Sequence, residues 1–341
     1  LGLTGYYARP IFGANTPIDF QEYAPYPYGG GFGAVGIDGA LSLEHLNLFA
    51  EASRSFDNEP QGKGGGYAVT QRTVYSFLKQ EVELSLRYYD RDYLNPYSRA
   101  ISEPDRLDGQ RVRNEAGARL RYAGKPYPDL FTRAEVDVWT LPGDSSTPGT
   151  AGTKNLRAAA RVDFEGFDYF SPGAWVDYRN KGLGLDTNDS LVCYEVSTET
   201  DSEGDVLPCT GQFVRLIQRL ELMPRFRYAS VLLQAAEKWV DDPAYAPAMR
   251  MDASAYVQVS SRPTDLVRLR ARVKYLDEAV DKPDRGERSL WTFFQATWTP
   301  GGGYLVSARY DNYFYIDTRA STLTRTPNPA HRFTLQLEAK F

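Results

Sequence analysis

The sequence predicts an all-β chain whose long antiparallel strands each carry one apolar and one polar face. Three observations support this prediction. Apolar and polar residues alternate over many long segments, and the connections between these segments are alternately short and long. No segment of similar length has helical periodicity. Successive side chains of a strand point to opposite faces, so alternation over ten residues makes a two-faced strand.

The C-terminal segment 331–341 shows the alternation most strictly and ends on an aromatic residue. Its apolar face holds Phe333, Leu335, Leu337, Ala339 and Phe341. Its polar face holds Arg332, Thr334, Gln336, Glu338 and Lys340. A segment of this kind is expected to be a strand with one side in an apolar environment.

Similar alternation recurs along the chain, for example with Val82, Leu84 and Leu86 facing away from Glu81 and Glu83. Each segment reaches the roughly 9–11 tilted residues that cross a bilayer. We predict strands at 32–43, 46–56, 65–77, 80–92, 110–122, 129–140, 154–165, 172–182, 211–222, 226–239, 249–261, 265–277, 286–298, 303–316 and 330–341.

The connections between these strands differ in length in a regular way. Short joints are expected at Glu44–His45, Lys79–Gln80, Ala123–Asp129, Gly166–Ser171, Met223–Arg225, Arg262–Asp265 and Pro300–Gly303. Longer ones are expected at 57–64, 93–110, 142–153, 184–210, 241–247, 278–286 and 317–329. Barrels that span a membrane have short turns at one end and long loops at the other.

The predicted fold is therefore one transmembrane antiparallel β-barrel over residues 1–341, with about sixteen strands and fourteen as the fallback. An even strand count requires a further strand within 1–12, where Leu1, Leu3, Gly5 and Tyr7 alternate weakly. Because Leu1 is not an initiator methionine, we expect a signal peptide or an upstream domain before it.

Composition fits a barrel and excludes a helical membrane protein. The mean hydropathy is −0.47, and no apolar run approaches the roughly 18 residues of a membrane helix. Half of each barrel strand faces a polar interior, which lowers the mean. The net charge of −5 indicates no particular partner.

Two cysteines, Cys193 and Cys209, lie in a Gly-, Asp- and Thr-rich stretch without the spacing of a metal site. We expect a disulfide that closes a long loop in an oxidising compartment, with two unrelated free thiols as the alternative.

Charged residues dominate the faces assigned to the interior of the barrel. The candidate lining residues are Arg111, Arg113, Arg119, Arg121, Arg157, Arg161, Glu81, Glu83, Glu135 and Asp137. Acidic and basic side chains at matching heights on neighbouring strands are expected to pair across the wall.

One strand departs from this balance, because Arg268, Arg270, Arg272 and Lys274 form a basic ladder on a single face. The preceding predicted strand offers only Asp252, and one face of the next offers Ser289, Trp291, Phe293 and Gln295. Cations without carboxylate neighbours would raise the local anion concentration in a wet pore. A weak anion preference is the resulting hypothesis.

No motif indicates catalysis. A nucleophile elbow, a phosphate loop, a dinucleotide fingerprint and a zinc helix motif are all missing from the sequence. We therefore expect no catalytic residues, no cofactor and no metal site.

With its alternating strands, its rhythm of connections and its final Phe341, the chain resembles bacterial outer-membrane β-barrels of porin size. In that family the terminal aromatic is part of the signal read by the barrel-assembly machinery. Segment 85–97, SLRYYDRDYLNPY, followed by Ile101-Ser102-Glu103, is also similar to a segment of large uncharacterised barrels that carry helix-hairpin-helix modules like those of DNA-uptake proteins.

These features predict a channel in the outer membrane of a Gram-negative bacterium, with both termini in the periplasm. It would allow passive or gated diffusion of small polar solutes, with anions among the candidates. The expected partners are membrane lipid, lipopolysaccharide and the assembly machinery; nucleic acid is not expected. Three alternatives stay open: a non-conducting barrel that anchors or docks an envelope complex, a channel for polyanions such as DNA, and an outer-membrane hydrolase using His331.

Overall fold

A computed structural model describes residues 1–8, 31–57, 64–90, 92–93, 114–140, 142, 154–183, 191–192, 209–222, 228–242, 248–280, 288–301, 303–317 and 329–339. The strands are β1 (Gly2–Ala8), β2 (Phe32–Ser42), β3 (Leu46–Asp57), β4 (Tyr67–Phe77), β5 (Gln80–Tyr89), β6 (Glu115–Tyr127), β7 (Leu130–Thr140), β8 (Lys154–Phe164), β9 (Phe170–Leu183), β10 (Leu191–Val192), β11 (Cys209–Leu222), β12 (Ala229–Val240), β13 (Arg250–Thr264), β14 (Val267–Asp277), β15 (Arg288–Gly301), β16 (Tyr304–Asp317) and β17 (Ala330–Ala339).

Sixteen of these strands are long, and each pairs antiparallel with the next long strand along the chain. The two-residue β10 pairs parallel with the beginning of β11. Such a meander is the topology of an up-and-down barrel. The predicted fold class, all-β with sixteen long antiparallel strands, is confirmed. Within the described ranges no helix is long and apolar enough to cross a membrane.

The two ends of the sheet differ in the spacing of their strands. At one end β4 ends at Phe77 and β5 begins at Gln80, while at the other end β5 ends at Tyr89 and β6 begins at Glu115. The same alternation continues along the sheet, as predicted. We call these the short-turn end and the long-loop end.

Four strands extend further toward the short-turn end than the sequence suggested, and in three of them a proline lies beside a register shift. Pro126 lies in β6, Pro263 in β13 and Pro300 in β15. The strand register shifts beside each one, at Gly124/Tyr127, Ser261/Thr264 and Trp298/Gly301. A bulge accommodates proline because it interrupts the ladder of backbone hydrogen bonds that proline cannot join.

The sixth strand is therefore displaced from its predicted position. We expected it at 110–122 with a joint at Ala123–Asp129, whereas β6 spans Glu115–Tyr127. The expected loop 184–210 also differs, because Leu191–Val192 pairs with Cys209 and Thr210 at the beginning of β11.

Candidate functional site

The sheet leaves many apolar side chains exposed and many polar side chains buried, which is the reverse of the pattern in a water-soluble protein. Ile37 is 57% exposed and Leu337 70%, whereas Asp137 and Asp177 are each 2% exposed. Asp, Glu, Lys and Arg are rarely buried unless paired, and exposed apolar patches of this extent mark an apolar environment or a partner. The apolar face therefore fits lipid, and the polar face is the candidate site.

Exposed aromatic side chains mark both ends of the apolar face. Tyr67 and Tyr275 lie toward the long-loop end, and Tyr127 and Trp298 toward the short-turn end. Amphipathic rings favour the headgroup regions on both sides of a bilayer. This arrangement adds a second, independent indication that the sheet spans a membrane.

Strands β4 to β11 form one part of the polar face, which we call the ion-paired wall. Glu83 accepts hydrogen bonds from Arg72 Nη2 at 2.6 Å and from Arg119 Nη2 at 3.1 Å. Glu135 lies 3.3 Å from Arg121 Nε and 3.2 Å from Arg157 Nη1. Each carboxylate thus joins two arginines of neighbouring strands, as predicted for this wall.

The pattern continues across the following strands. Asp177 contacts Arg157 Nε at 3.3 Å and Arg215 Nη2 at 3.1 Å. Arg161 donates to Asp163 through Nε at 2.5 Å and Nη2 at 3.1 Å. Each of these three arginines thus has a carboxylate partner, and charge-assisted hydrogen bonds of this kind are among the strong ones.

Near the long-loop end of the ion-paired wall, Arg87 is completely covered. Its Nη1 donates to Asp137 Oδ1 at 2.7 Å, and its Nε donates to Glu115. Arg87 is the register partner of Gly117, so its guanidinium crosses β6 to reach Asp137 on β7. A Cβ at Gly117 would lie 2.8 Å from the Arg87 Cζ atom, so only glycine leaves room for this crossing.

The basic ladder (Arg268, Arg270, Arg272 and Lys274) lies on β14, in the other part of the polar face. Its register partners on β15 are Thr297, Gln295, Phe293 and Trp291. On β13 the last three ladder residues face Ser260, Gln258 and Tyr256. All these partners are uncharged. Asp252, the one acidic neighbour that the sequence offered on β13, has Lys238 on β12 as its register partner and no partner in register on β14.

Asp252 on β13 and Asp311 on β16, two acids of this part of the polar face, already have cationic partners. Asp252 accepts from Arg250 Nε at 2.9 Å and lies 3.3 Å from Lys238 Nζ. Asp311 accepts from Arg309 at 2.8 and 2.7 Å. These carboxylates are therefore committed to other bases, and the charge of the ladder is not cancelled by its register neighbours.

Aromatic rings take the place of carboxylates beside Arg272. Its Cζ lies 4.5 Å from the Tyr256 ring centre, 5.3 Å from that of Phe293 and 5.8 Å from that of Trp291. Its Nε and Nη2 both donate to Gln258 Oε1, at 3.0 and 2.6 Å. Cation–π contacts and a neutral acceptor stabilise a guanidinium without neutralising it.

Sequence reasoning missed this aromatic cluster (Tyr256, Trp291, Phe293 and Tyr313) as part of the site. Trp291 and Phe293 had been recognised only as uncharged neighbours of the ladder. Neither Tyr256 nor Tyr313 was recognised as a neighbour of the ladder, although their parity in β13 and β16 places them on the polar face. That parity, which follows from the alternation alone, was the signal that could have found them.

The other predicted residues can be placed as follows. Glu81, Glu83, Arg119, Arg121, Glu135, Asp137, Arg157 and Arg161 all lie on the polar face, with the ladder. Arg111, Arg113, Cys193 and Phe341 lie outside the described residues, and only the backbone of Cys209 is described. The disulfide and the terminal assembly signal thus stay predictions.

No protein-family model and no curated protein sequence matches the chain. Several solved structures resemble it. The outer-membrane expressed OmpT of Vibrio cholerae is 11% identical, covers 84% of this chain and 79% of its own, and has a TM-score of 0.46. The outer-membrane channel DcaP of Acinetobacter baumannii is 12% identical over 89% and 83%, with a TM-score of 0.45.

The siderophore receptor PirA of Acinetobacter baumannii is 10% identical, with a TM-score of 0.49 over 98% of this chain and 56% of its own. Because these TM-scores lie below 0.5, we base the fold assignment on the strand pairing and the two faces of the sheet. On that basis the resemblance to outer-membrane β-barrels is confirmed as an architecture.

Proposed function

We propose that this protein is an outer-membrane channel for passive diffusion of small polar solutes, with a preference for anions. The observation that carries the proposal is the contrast within the polar face. Arginines of the ion-paired wall meet carboxylates, whereas the basic ladder meets only uncharged partners in register. Three arginines with no carboxylate in register, Arg268, Arg270 and Arg272, raise the local concentration of anions in adjacent water.

The proposal requires a closed barrel, in which β1 pairs with β17. Each of these strands has one described antiparallel neighbour, β2 for β1 and β16 for β17. An unpaired strand edge in lipid leaves backbone groups without hydrogen bonds, which costs several kcal/mol for each group. Barrels of sixteen strands are wide enough for an aqueous channel.

Closure can be tested by cross-linking. In a variant with both native cysteines replaced by serine, Thr4→Cys is combined in turn with Thr334→Cys, Gln336→Cys and Glu338→Cys. These four positions share the polar face. We expect one pair to form a disulfide on oxidation. Failure of all three pairs would contradict an antiparallel β1–β17 contact in this range.

The proposal also includes the orientation and surroundings of the barrel. We place both termini and the short-turn end in the periplasm and the long-loop end at the cell surface, next to lipopolysaccharide, because long loops are extracellular in this class. Assembly would use Phe341 and the barrel-assembly machinery, and Cys193 would pair with Cys209 in a surface loop. Residues 1–341 would form a single channel domain without catalytic activity.

The test is a planar-bilayer recording across a tenfold KCl gradient. Stable conductance with a reversal potential on the chloride side is the expected result. The preference should weaken between 0.1 M and 1 M salt, because the Debye length falls from about 10 Å to about 3 Å. A potassium preference would contradict the role of the ladder, and a folded, inserted protein without conductance would favour the anchoring alternative.

A further inference from the structure

The aromatic cluster beside the ladder has an arrangement of its own. The Trp291 and Tyr313 rings are parallel, with an interplanar angle of 4° and centroids 5.7 Å apart. They are register partners on β15 and β16, and both are partly exposed on the polar face. Flat rings that stack at an accessible surface form a platform on which another flat ring can stack.

Two guanidiniums flank this platform. Besides Arg272, the Arg309 Cζ lies 5.7 Å from the Trp291 ring centre and 4.4 Å from that of Phe293. Phe293 is only 6% exposed, so these cations lie over a buried ring while Trp291 and Tyr313 stay reachable. Cationic N–H donors and partly exposed aromatic rings therefore occur side by side on the same three strands, and Trp291 Nε1 also donates to Asp311 at 3.0 Å.

Arg272 keeps donors for a ligand. Its Nε and Nη2 are bonded to the neutral Gln258 Oε1, which leaves Nη1 outside these bonds. The next ladder residue, Arg270, has register partners Ser260 and Gln295, both uncharged. A carboxylate that approaches this point meets guanidiniums whose charge is intact, and Arg–carboxylate hydrogen bonds are among the strong ones.

A second Trp–Arg pair on the polar face allows a comparison with Trp291 and Arg272. The Arg161 Cζ lies 5.2 Å from the Trp175 ring centre, so the cation–π contact is similar. Arg161, however, is held by both oxygens of Asp163. The pair Arg161–Trp175 thus has the ring and the guanidinium but lacks the uncancelled charge, and it serves as a matched control.

We propose that the Trp291–Tyr313 platform and Arg270 and Arg272 together form a binding site for small aromatic carboxylates, with the ring stacked on the platform and the carboxylate bonded to the guanidiniums. The site rests on the proposed function, since its ligand must reach the polar face through water. It narrows the solute class from small anions to anions that carry a flat ring.

The probes are benzoate, cyclohexanecarboxylate and benzyl alcohol. Cyclohexanecarboxylate has the same charge as benzoate without a flat ring, and benzyl alcohol has the ring without the charge. Titration calorimetry on the refolded protein in detergent measures binding directly, and block of ion current in a planar bilayer measures occupancy of the channel. Benzoate should bind with an affinity at least about tenfold higher than either other probe, a difference of about 1.4 kcal/mol.

Three variants locate the site. Trp291→Leu should abolish the preference for benzoate over cyclohexanecarboxylate while the protein still binds both weakly. Arg272→Gln should weaken the binding of both carboxylates. Trp175→Leu, the matched control on the ion-paired wall, should leave benzoate binding unchanged.

The two readouts separate the site from the channel. Conductance without a preference for benzoate would overturn the site and leave the channel proposal intact. A preference for benzoate that Trp291→Leu abolishes, in a protein without conductance, would overturn the channel and support the site. Equal loss of binding in Trp175→Leu and Trp291→Leu would also overturn it, since the effect would not depend on the ladder.

Discussion

The Arg272 guanidinium carbon lies 4.5 Å from the centre of the Tyr256 ring, in a position where the ion-paired wall would place a carboxylate. Across the same face, Arg157 lies between Glu135 and Asp177 and contacts both. Of these two arginines, only Arg157 contacts carboxylates. Selectivity in this barrel is therefore expected to depend on the type of partner more than on the number of arginines.

The first prediction concerns selectivity. The double variant Arg270→Gln/Arg272→Gln should reduce the chloride preference by about half or more, because it removes uncancelled charge from the polar face. The control Arg121→Gln/Glu135→Gln removes an ion pair from the ion-paired wall with no change in net charge. It should keep the reversal potential of the unmodified protein. Equal shifts in both variants would assign selectivity to other residues.

The second prediction concerns the ion-paired wall. Glu83 is 3% exposed and bonds Arg72, Arg119 and Ser85, so Glu83→Gln removes the buried anion that these two arginines share. We expect a loss of about 2 kcal/mol in the free energy of unfolding, measured by urea titration of the refolded protein. Glu81→Gln, on the same face but exposed, should change it by less than about 0.5 kcal/mol. Similar values for the two variants would mean that burial of the carboxylate does not matter.

The third prediction concerns the lipid-facing surface. Leu120 is 52% exposed in the middle of β6, a position where arginine would be harmless in a water-soluble protein. In a bilayer, Leu120→Arg should cost about 2–4 kcal/mol of folding free energy, whereas Leu43→Arg, beyond the end of β2, should cost about 0–1 kcal/mol. If both variants fold equally well in lipid vesicles, the exposed apolar face does not contact the bilayer core.

The fourth prediction concerns Gly117, over which the Arg87 side chain passes. A Cβ there would lie 2.7 Å from the Trp139 Cβ and 2.8 Å from Arg87 Cζ, so Gly117→Ala should displace the arginine and cost about 1–3 kcal/mol in urea unfolding. Gly39→Ala is the control, because its new Cβ would meet only the flexible Leu1 side chain, at 3.4 Å. A cost at Gly39 equal to that at Gly117 would point to a general effect of replacing glycine in a strand.

The two faces of the sheet were predictable because the period of a strand is fixed. Once Val273 is assigned to the apolar face, Arg272 and Lys274 must lie on the other, and this assignment holds along β14. The uncharged neighbours of the ladder followed from the same parity. The alternation of short and long connections was predictable too, since a turn of two residues leaves no freedom in which strands pair.

The strand bounds and side-chain contacts that the sequence analysis did not predict depend on packing, which the two-residue period of a strand does not encode. Pro126, Pro263 and Pro300 lie where strand ends were expected. Each of them lies beside a bulge, however, and its strand continues past it. Arg87 reaches Asp137 past an intervening strand, a distance set by side-chain length and by the space above Gly117. Such contacts follow from side-chain packing between strands far apart in sequence, which alternation cannot specify.

The central claim is that the polar face lines a water-filled path while the opposite face contacts lipid. Ser260 and Val259 are neighbours on β13 and point to the polar and the apolar face, respectively. In a variant without native cysteines, Ser260→Cys and Val259→Cys are each recorded in a planar bilayer while a water-soluble, negatively charged thiol reagent is added. We predict that the reagent lowers single-channel conductance for Ser260→Cys and has no effect on Val259→Cys. Block at position 259 with none at position 260 would contradict the claim.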